Sequence, residues 1–244
     1  MKRNVSLAEI SDGRLYGEND MVKADCRGCQ GCSACCREMG SSIKLDPFDI
    51  YRLTTGLGKS FQELLTAGTI ELQVVDGAIL PNLAMMGVKE QCAFLNEEGR
   101  CSIHSLRPGI CRLFPLGRYY EGDDFKYFLQ VGECTAPRGK VKVDKWIDTP
   151  NLRKNHGFVV EWHGLLHEVE DIVCKEMEPT SGDEESQMGE DLGKQVNMLL
   201  LQLFFVTPYE KEMDFYTQFG QRKQTFLSVL QTQKDKGNIL PTSQ

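Results

Sequence analysis

The chain has 244 residues, enough to bury a substantial core in one or two domains. Its net charge of -7 and pI near 5.2, with no basic stretch, argue against a nucleic-acid partner held through phosphate contacts. No run approaches the roughly 20 apolar residues of a membrane-spanning helix, and residues 1–25 hold no apolar segment of signal-peptide length, so the sequence points to a soluble, cytoplasmic protein without a membrane partner.

Residues 1–25 are polar and without hydrophobic period, and are expected as a loosely ordered lead. Five cysteines follow, Cys26, Cys29, Cys32, Cys35 and Cys36, in a C-x2-C-x2-C-x2-C-C run. Residues 43–45 read as a short extended piece. Asp46 as N-cap and Pro47 at the first helical position then open a helix through Phe48, Tyr51 and Leu53, closed at Gly56 by a left-handed cap. Ser60 and Glu63 make a capping box for a second short helix that ends at Gly68. Residues 54–60 imitate a phosphate loop, but the pattern G-x4-G-K-[ST] needs glycine where Leu53 stands, and a helix precedes it where a strand should. Lys59 and Ser60 are therefore assigned to a helix–helix turn.

Residues 70–75 and 78–83 flank Asp76-Gly77, a favoured two-residue hairpin turn, and Pro81 confines the second strand to a sheet edge. Residues 92–104 read as a second hairpin turning at 96–99, which would bring Cys92 and Cys101 together. Residues 125–131 form a further strand ahead of Cys134.

From residue 151 the pattern changes. Phe158, Trp162, Leu165, Leu166, Val169, Ile172, Val173 and Met177 recur every three or four residues, the period of an amphipathic helix, which should end before Pro179. A polar, acidic linker is expected over 180–190, then helices at about 191–206 and 209–234 separated by Pro208. His163 and His167, one helical turn apart, either bind a metal together or are ordinary polar-face residues. Cys174, far from the other cysteines, is assigned to the core. The fold class expected is α+β: an irregular, cysteine-rich, metal-stapled front part with short helices and hairpins, over residues 26–150, and an all-helical C-terminal part over 151–244.

Nine of the ten cysteines lie in residues 26–134. Soft thiolates at C-x2-C spacing can turn onto one Zn2+ ion or one iron–sulfur cluster. Disulfides would require an oxidising compartment that no leader here implies. A thioredoxin-like dithiol uses a single C-x-x-C at a helix start, not overlapping units. Inert buried cysteines would need apolar neighbours, which Gly28, Gln30, Gly31, Ser33 and Ala34 do not supply. Metal binding accounts for the pattern best.

The run from Cys29 to Cys36, Cys92 with its following Ala-Phe-Leu, Cys101 with His104, the Arg-Pro-Gly-Ile-Cys-Arg-Leu-Phe-Pro stretch at 107–115 and finally Cys134 resemble the YkgJ-type cysteine-cluster proteins, a zinc- or iron-chelating domain, over roughly residues 26–136. The family often has an aromatic residue where His104 stands, which leaves an extra imidazole ligand open. The resemblance implies metal chelation. Flagellin lysine N-methylases look similar in this region, so it also suggests an enzyme that methylates a protein substrate with S-adenosylmethionine, although no Gly-rich strand–turn–helix supports a conventional cofactor site.

Leaving Cys26 aside, the motif cysteines are Cys29, Cys32, Cys35, Cys36, Cys92, Cys101, Cys111 and Cys134. They could fill two four-thiolate sites, or one such site with four thiols left over. Adjacent Cys35 and Cys36 are expected to point apart and not to share one tetrahedral ion. A [4Fe-4S] cluster commonly takes C-x2-C-x2-C plus a distant fourth cysteine, a spacing that Cys26, Cys29, Cys32 and Cys35 extend, so zinc and iron–sulfur stand level. Arg107 and Arg112 bracket Cys111. Their guanidinium groups could offset the formal charge of about -2 on a four-thiolate centre, or bind an anionic ligand such as an amino-acid carboxylate.

Overall fold

The computed structural model of the chain describes residues 6–26, 32–134, 139–176 and 183–233. α1 (Leu7–Ile10), β1 (Ser11–Tyr16) and β2 (Met21–Asp25) open it. α2 (Pro47–Leu57) and α3 (Phe61–Thr66) follow, then the hairpin β3 (Ile70–Val75) and β4 (Ala78–Leu83), the short strands β5 (Met85–Met86) and β6 (Gln91–Cys92), and α4 (Gly109–Leu113). β7 (Leu116–Glu121), β8 (Asp124–Gln130), β9 (Gly139–Lys142) and α5 (Val143–Ile147) lead to the long helices α6 (Leu152–Glu176), α7 (Asp183–Leu201) and α8 (Phe215–Gln233). The fold is α+β, with hairpins and short helices in front and helices behind.

The polar lead departs from expectation. β1 pairs antiparallel with β8, making the sheet order β1-β8-β7, and β2 pairs antiparallel with β9. Strand formation there depends on partners far along the chain, which local periodicity does not reveal. The expected linker at 180–190 differs too, since α7 already begins at Asp183. Glu is a good helix former and acidic residues suit a helix start, so this acidic stretch has no local reason to stay extended. Tyr209 lies ahead of the last helix, which starts at Phe215 after Asp214 accepts the Thr217 N–H at 3.1 Å.

The local signals of the front part hold with one shift. Asp46 accepts the Asp49 N–H (2.8 Å) and Asp49 accepts the Asp46 N–H (3.2 Å), a reciprocal box at the start of α2. The helix runs past Gly56 to Gly58, whose φ of 63° makes the left-handed cap. Gly56 stays helical and serves packing instead: a Cβ there would sit 2.6 Å from Leu106 Cδ1. Ser60 and Glu63 form the expected box, so Lys59-Ser60 is a helix–helix turn. At the β3–β4 turn Asp76 and Gly77 have φ of 48° and 79°, as a two-residue hairpin turn needs. Pro81, within β4, offers only its carbonyl, to the Leu45 N–H at 2.9 Å, so the strand expected at a sheet edge is flanked by residues 43–45 on the side away from β3.

One buried cluster runs through both halves, from Phe48, Ile50, Leu53 and Leu64 in front to Val169, Leu200, Phe204 and Phe226 behind. Aromatic rings carry the junction. Phe48 of α2 lies 5.0 Å from Phe215 and 6.3 Å from Phe158, and Trp162 lies 5.2 Å from Phe204. Phe204 belongs to a π-helical turn, Gln202–Val206, whose freed carbonyls are taken up by Arg222: its Nη1 donates to Leu203 O (2.7 Å) and Thr207 O (2.9 Å). No helix of the described residues is long and apolar enough to cross a membrane.

α7 is fastened to the β3–β4 hairpin by one polar side chain. Buried Asn197 accepts the Ile79 N–H (2.7 Å) and donates to Gly77 O (2.9 Å) and Gly193 O (3.0 Å). Asn197→Leu leaves a buried N–H and a buried carbonyl unpaired and is expected to lower stability by about 2 kcal/mol, measured by urea unfolding against wild type. A loss below about 0.5 kcal/mol would show that the hairpin does not depend on this contact.

Candidate metal centre

Residues 34–36 form a single 3-10 turn, with the Cys36 N–H bonded to Ser33 O (3.0 Å). Arg37 ties this turn to β6: its Nη1 donates to Gln91 Oε1 (2.9 Å), and the Glu38 N–H donates to Glu90 O (2.8 Å). Cys92, the residue after Gln91, is thereby brought beside the Cys35-Cys36 turn. The hairpin expected at 92–104 is instead a loop closed by an isolated bridge, because β6 pairs with β5 and not with the returning segment. The Ser102 N–H bonds Phe94 O (2.8 Å), Asn96 accepts the Arg100 N–H (2.7 Å), and Leu95 bridges Cys101. α4 delivers Cys111 as a fourth segment.

Cys35, Cys92, Cys101 and Cys111 fall within electrostatic reach of one another. Cys92 feels Cys101 and Cys35, and Cys111 feels Cys92, Cys35 and Cys101. Cys36 joins them: the Cys35 thiol donates to the Cys36 sulfur, so these adjacent side chains meet, contrary to the expectation that they point apart. The tight 3-10 turn, unlike an extended backbone, allows this. Cys32, half-buried just ahead of the turn, and Cys134, half-buried after β8, are not among the charges that act most on these thiols. Cys26 is buried at the end of β2. Cys29 lies outside the described residues, as does the side chain of Cys174.

All four convergent thiols titrate above the ordinary range. For Cys35 the bond to Cys36 is the main cause, followed by burial; for Cys92, Cys101 and Cys111 burial is the main cause. Mutual repulsion adds to each, and Asp49 pushes Cys111 higher still. Such a cluster of soft donors cannot ionise without a cation to balance it. Among the described residues no three His, Cys, Asp or Glu side chains are already arranged to hold a metal ion, so the thiols converge without being closed into a shell.

The two arginines divide. Arg107 pulls the titration of Cys35 and Cys101 down and thus faces the thiols, while its Nε donates to His104 O (3.2 Å). Arg112 is buried on the other side of α4, where its Nη1 donates to Thr149 Oγ1 (2.8 Å) and it lies in the field of Asp49. His104 is exposed, with Arg107 and Arg100 as its charged neighbours.

Asp49 has no counterpart in the sequence analysis. It is 2% exposed and accepts the Gly109 N–H (2.7 Å) with the carboxylate that also completes the α2 box, so the start of the Cys111-bearing helix is fixed to α2. Burial, then the charge of Asp46, pushes its pKa up to about 7, against the pull of Arg112. Acidic residues three apart, Asp46 and Asp49, are a legible cap signal, but the link to Gly109 is tertiary.

Residues 28–134 match the family model CxxCxxCC, described as "Putative zinc- or iron-chelating domain". The matched segment spans Cys29 to Cys134 and is similar to the cysteine-cluster domains that this model describes. No curated protein and no solved structure matches the chain.

Proposed function

We propose that this metal-chelating domain holds Zn2+ or iron on a four-thiolate set, Cys35, Cys92, Cys101 and Cys111, and that the centre staples four chain segments together. The observation that carries this is the approach of thiols from the 3-10 turn, β6, the 96–101 loop and α4, in a place where burial and mutual repulsion keep them protonated unless a cation balances the thiolates. The donor set fits the metal: four soft sulfurs match zinc or an iron–sulfur core, and the guanidinium of Arg107 offsets the excess charge of the thiolates. When bound, the ion supplies the cross-link that these loops, with only two-residue strands between them, otherwise lack. The other motif cysteines, Cys29, Cys32, Cys36 and Cys134, are numerous enough for a second four-thiolate site. Thiols in this number stay available in a reducing compartment such as the cytoplasm.

Anaerobic purification with measurement of zinc, iron and acid-labile sulfide tests this. Roughly one ion of zinc per four thiolates, or iron and sulfide in matched amounts with a brown colour, is the expected result. A protein that carries neither metal and takes up neither when supplied would sink the proposal.

A further inference from the structure

α6 carries three histidines whose surroundings differ. His156 is held through one nitrogen: Nε2 donates to Asp124 Oδ1 (2.6 Å), while Nδ1 lies 3.3 Å from Glu18 Oε1 without a hydrogen bond. About two and three turns further along, His163 and His167 sit with ring centroids 4.5 Å apart and planes at 84°. The His163 ring lies flat on Tyr120 of β7, 3.8 Å between centroids and 7° between planes, which fixes its orientation through its face and leaves its nitrogen-bearing edge uninvolved. No described side chain hydrogen-bonds to that edge. His167 donates from Nδ1 to Glu170 Oε2 (3.1 Å), which settles the tautomer and turns the Nε2 lone pair outward.

We propose that His163 and His167 form a second metal site, for a divalent transition ion that prefers imidazole, with Glu170 as the residue that orients His167 and water completing the shell. Paired histidines at i and i+4 present two nitrogens on one helical face at a spacing that a single ion can bridge. A carboxylate behind a ligating imidazole raises its basicity and holds its direction, the arrangement in which metal-bound histidines are found. The site lies on α6 and stands independently of the cysteine centre.

The test is a titration of the full-length protein, its cysteine centre loaded as purified, with Ni2+ and then Zn2+ by calorimetry, while the near-ultraviolet spectrum is recorded. One further ion per chain is expected, without the thiolate-to-nickel charge-transfer band that binding to surplus cysteines gives. His163→Phe, which retains a ring on Tyr120, and His167→Ala should each weaken that ion at least about tenfold, and Glu170→Gln by roughly tenfold. His156→Ala should leave it unchanged. Circular dichroism and retention of the first metal report that each variant folds. The proposal is overturned if wild type takes up no further ion, or if His163→Phe and His167→Ala bind it as wild type does.

Discussion

Cys111→Ser is expected to release the metal and to loosen the segments at 32–38 and 84–113 while leaving the helices behind them folded. Cys111 is the thiol on which the others converge: Cys92, Cys35 and Cys101 all act on it, and serine is a poor replacement for a thiolate ligand. The loops around it have little of their own to hold them, since β5 and β6 are two residues each and the returns are made by single hydrogen bonds. The rear helices instead share the ring-lined core of Phe158, Trp162, Phe204 and Phe219. An ion present at a thousandfold its dissociation constant stabilises the folded chain by about 4 kcal/mol, and each kcal/mol is worth about 2–4 °C at this size, so the melting temperature should fall by roughly 8–16 °C. Metal content, thermal unfolding and hydrogen exchange measure the three parts. Full metal retention in Cys111→Ser, with unchanged protection at 84–113, would remove Cys111 from the site.

What the sequence made legible was local. Asp46-Pro47, Ser60 with Glu63, and Asp76-Gly77 each satisfy backbone groups within a few residues, so their signals survive without knowledge of the rest of the chain. The hydrophobic period of 158–177 likewise reports one helix face. What escaped was settled by partners far away. β1 and β2 exist because β8 and β9 pair with them. Gly56 is a packing position because Leu106 fills the space of its missing side chain, and that contact cannot be distinguished from a cap in one dimension. For the candidate site, spacing gave the cysteines and the bracket of Arg107 and Arg112, but not their directions. Arg107 faces the thiols from the turn ahead of α4, whereas Arg112 lies on α4 itself and reaches Thr149 and the field of Asp49, a division that the linear bracket around Cys111 does not reveal. The meeting of Cys35 and Cys36 required the 3-10 turn at 34–36, and the role of Asp49 required Gly109 to arrive from sixty positions along the chain.

Asp49→Leu should be among the most destabilising single changes available outside the aromatic core. The carboxylate is 2% exposed and receives the N–H groups of Gly109 and Asp46, while buried Arg112 lies in its field. Leucine fits the volume but leaves two buried donors unpaired and deprives the guanidinium of its nearest carboxylate, a combination expected to cost about 3–5 kcal/mol. Asp49→Asn separates the effects. Its amide oxygen can still accept from Gly109, but its NH2 meets the Asp46 N–H donor to donor, so one half of the α2 box is lost at about 1 kcal/mol. The asparagine also removes the charge that pushes the Cys111 thiol upward, so the thiolate forms more readily and metal affinity should exceed that of wild type above about pH 7, where the wild-type carboxylate is ionised, and approach it below. Stability and metal affinity thus move in opposite directions in Asp49→Asn and fall together in Asp49→Leu. Urea unfolding of the metal-free chains, set beside metal affinity measured from pH 6 to 8, distinguishes the two. If Asp49→Leu unfolds within about 1 kcal/mol of wild type, α4 is held by something other than this carboxylate.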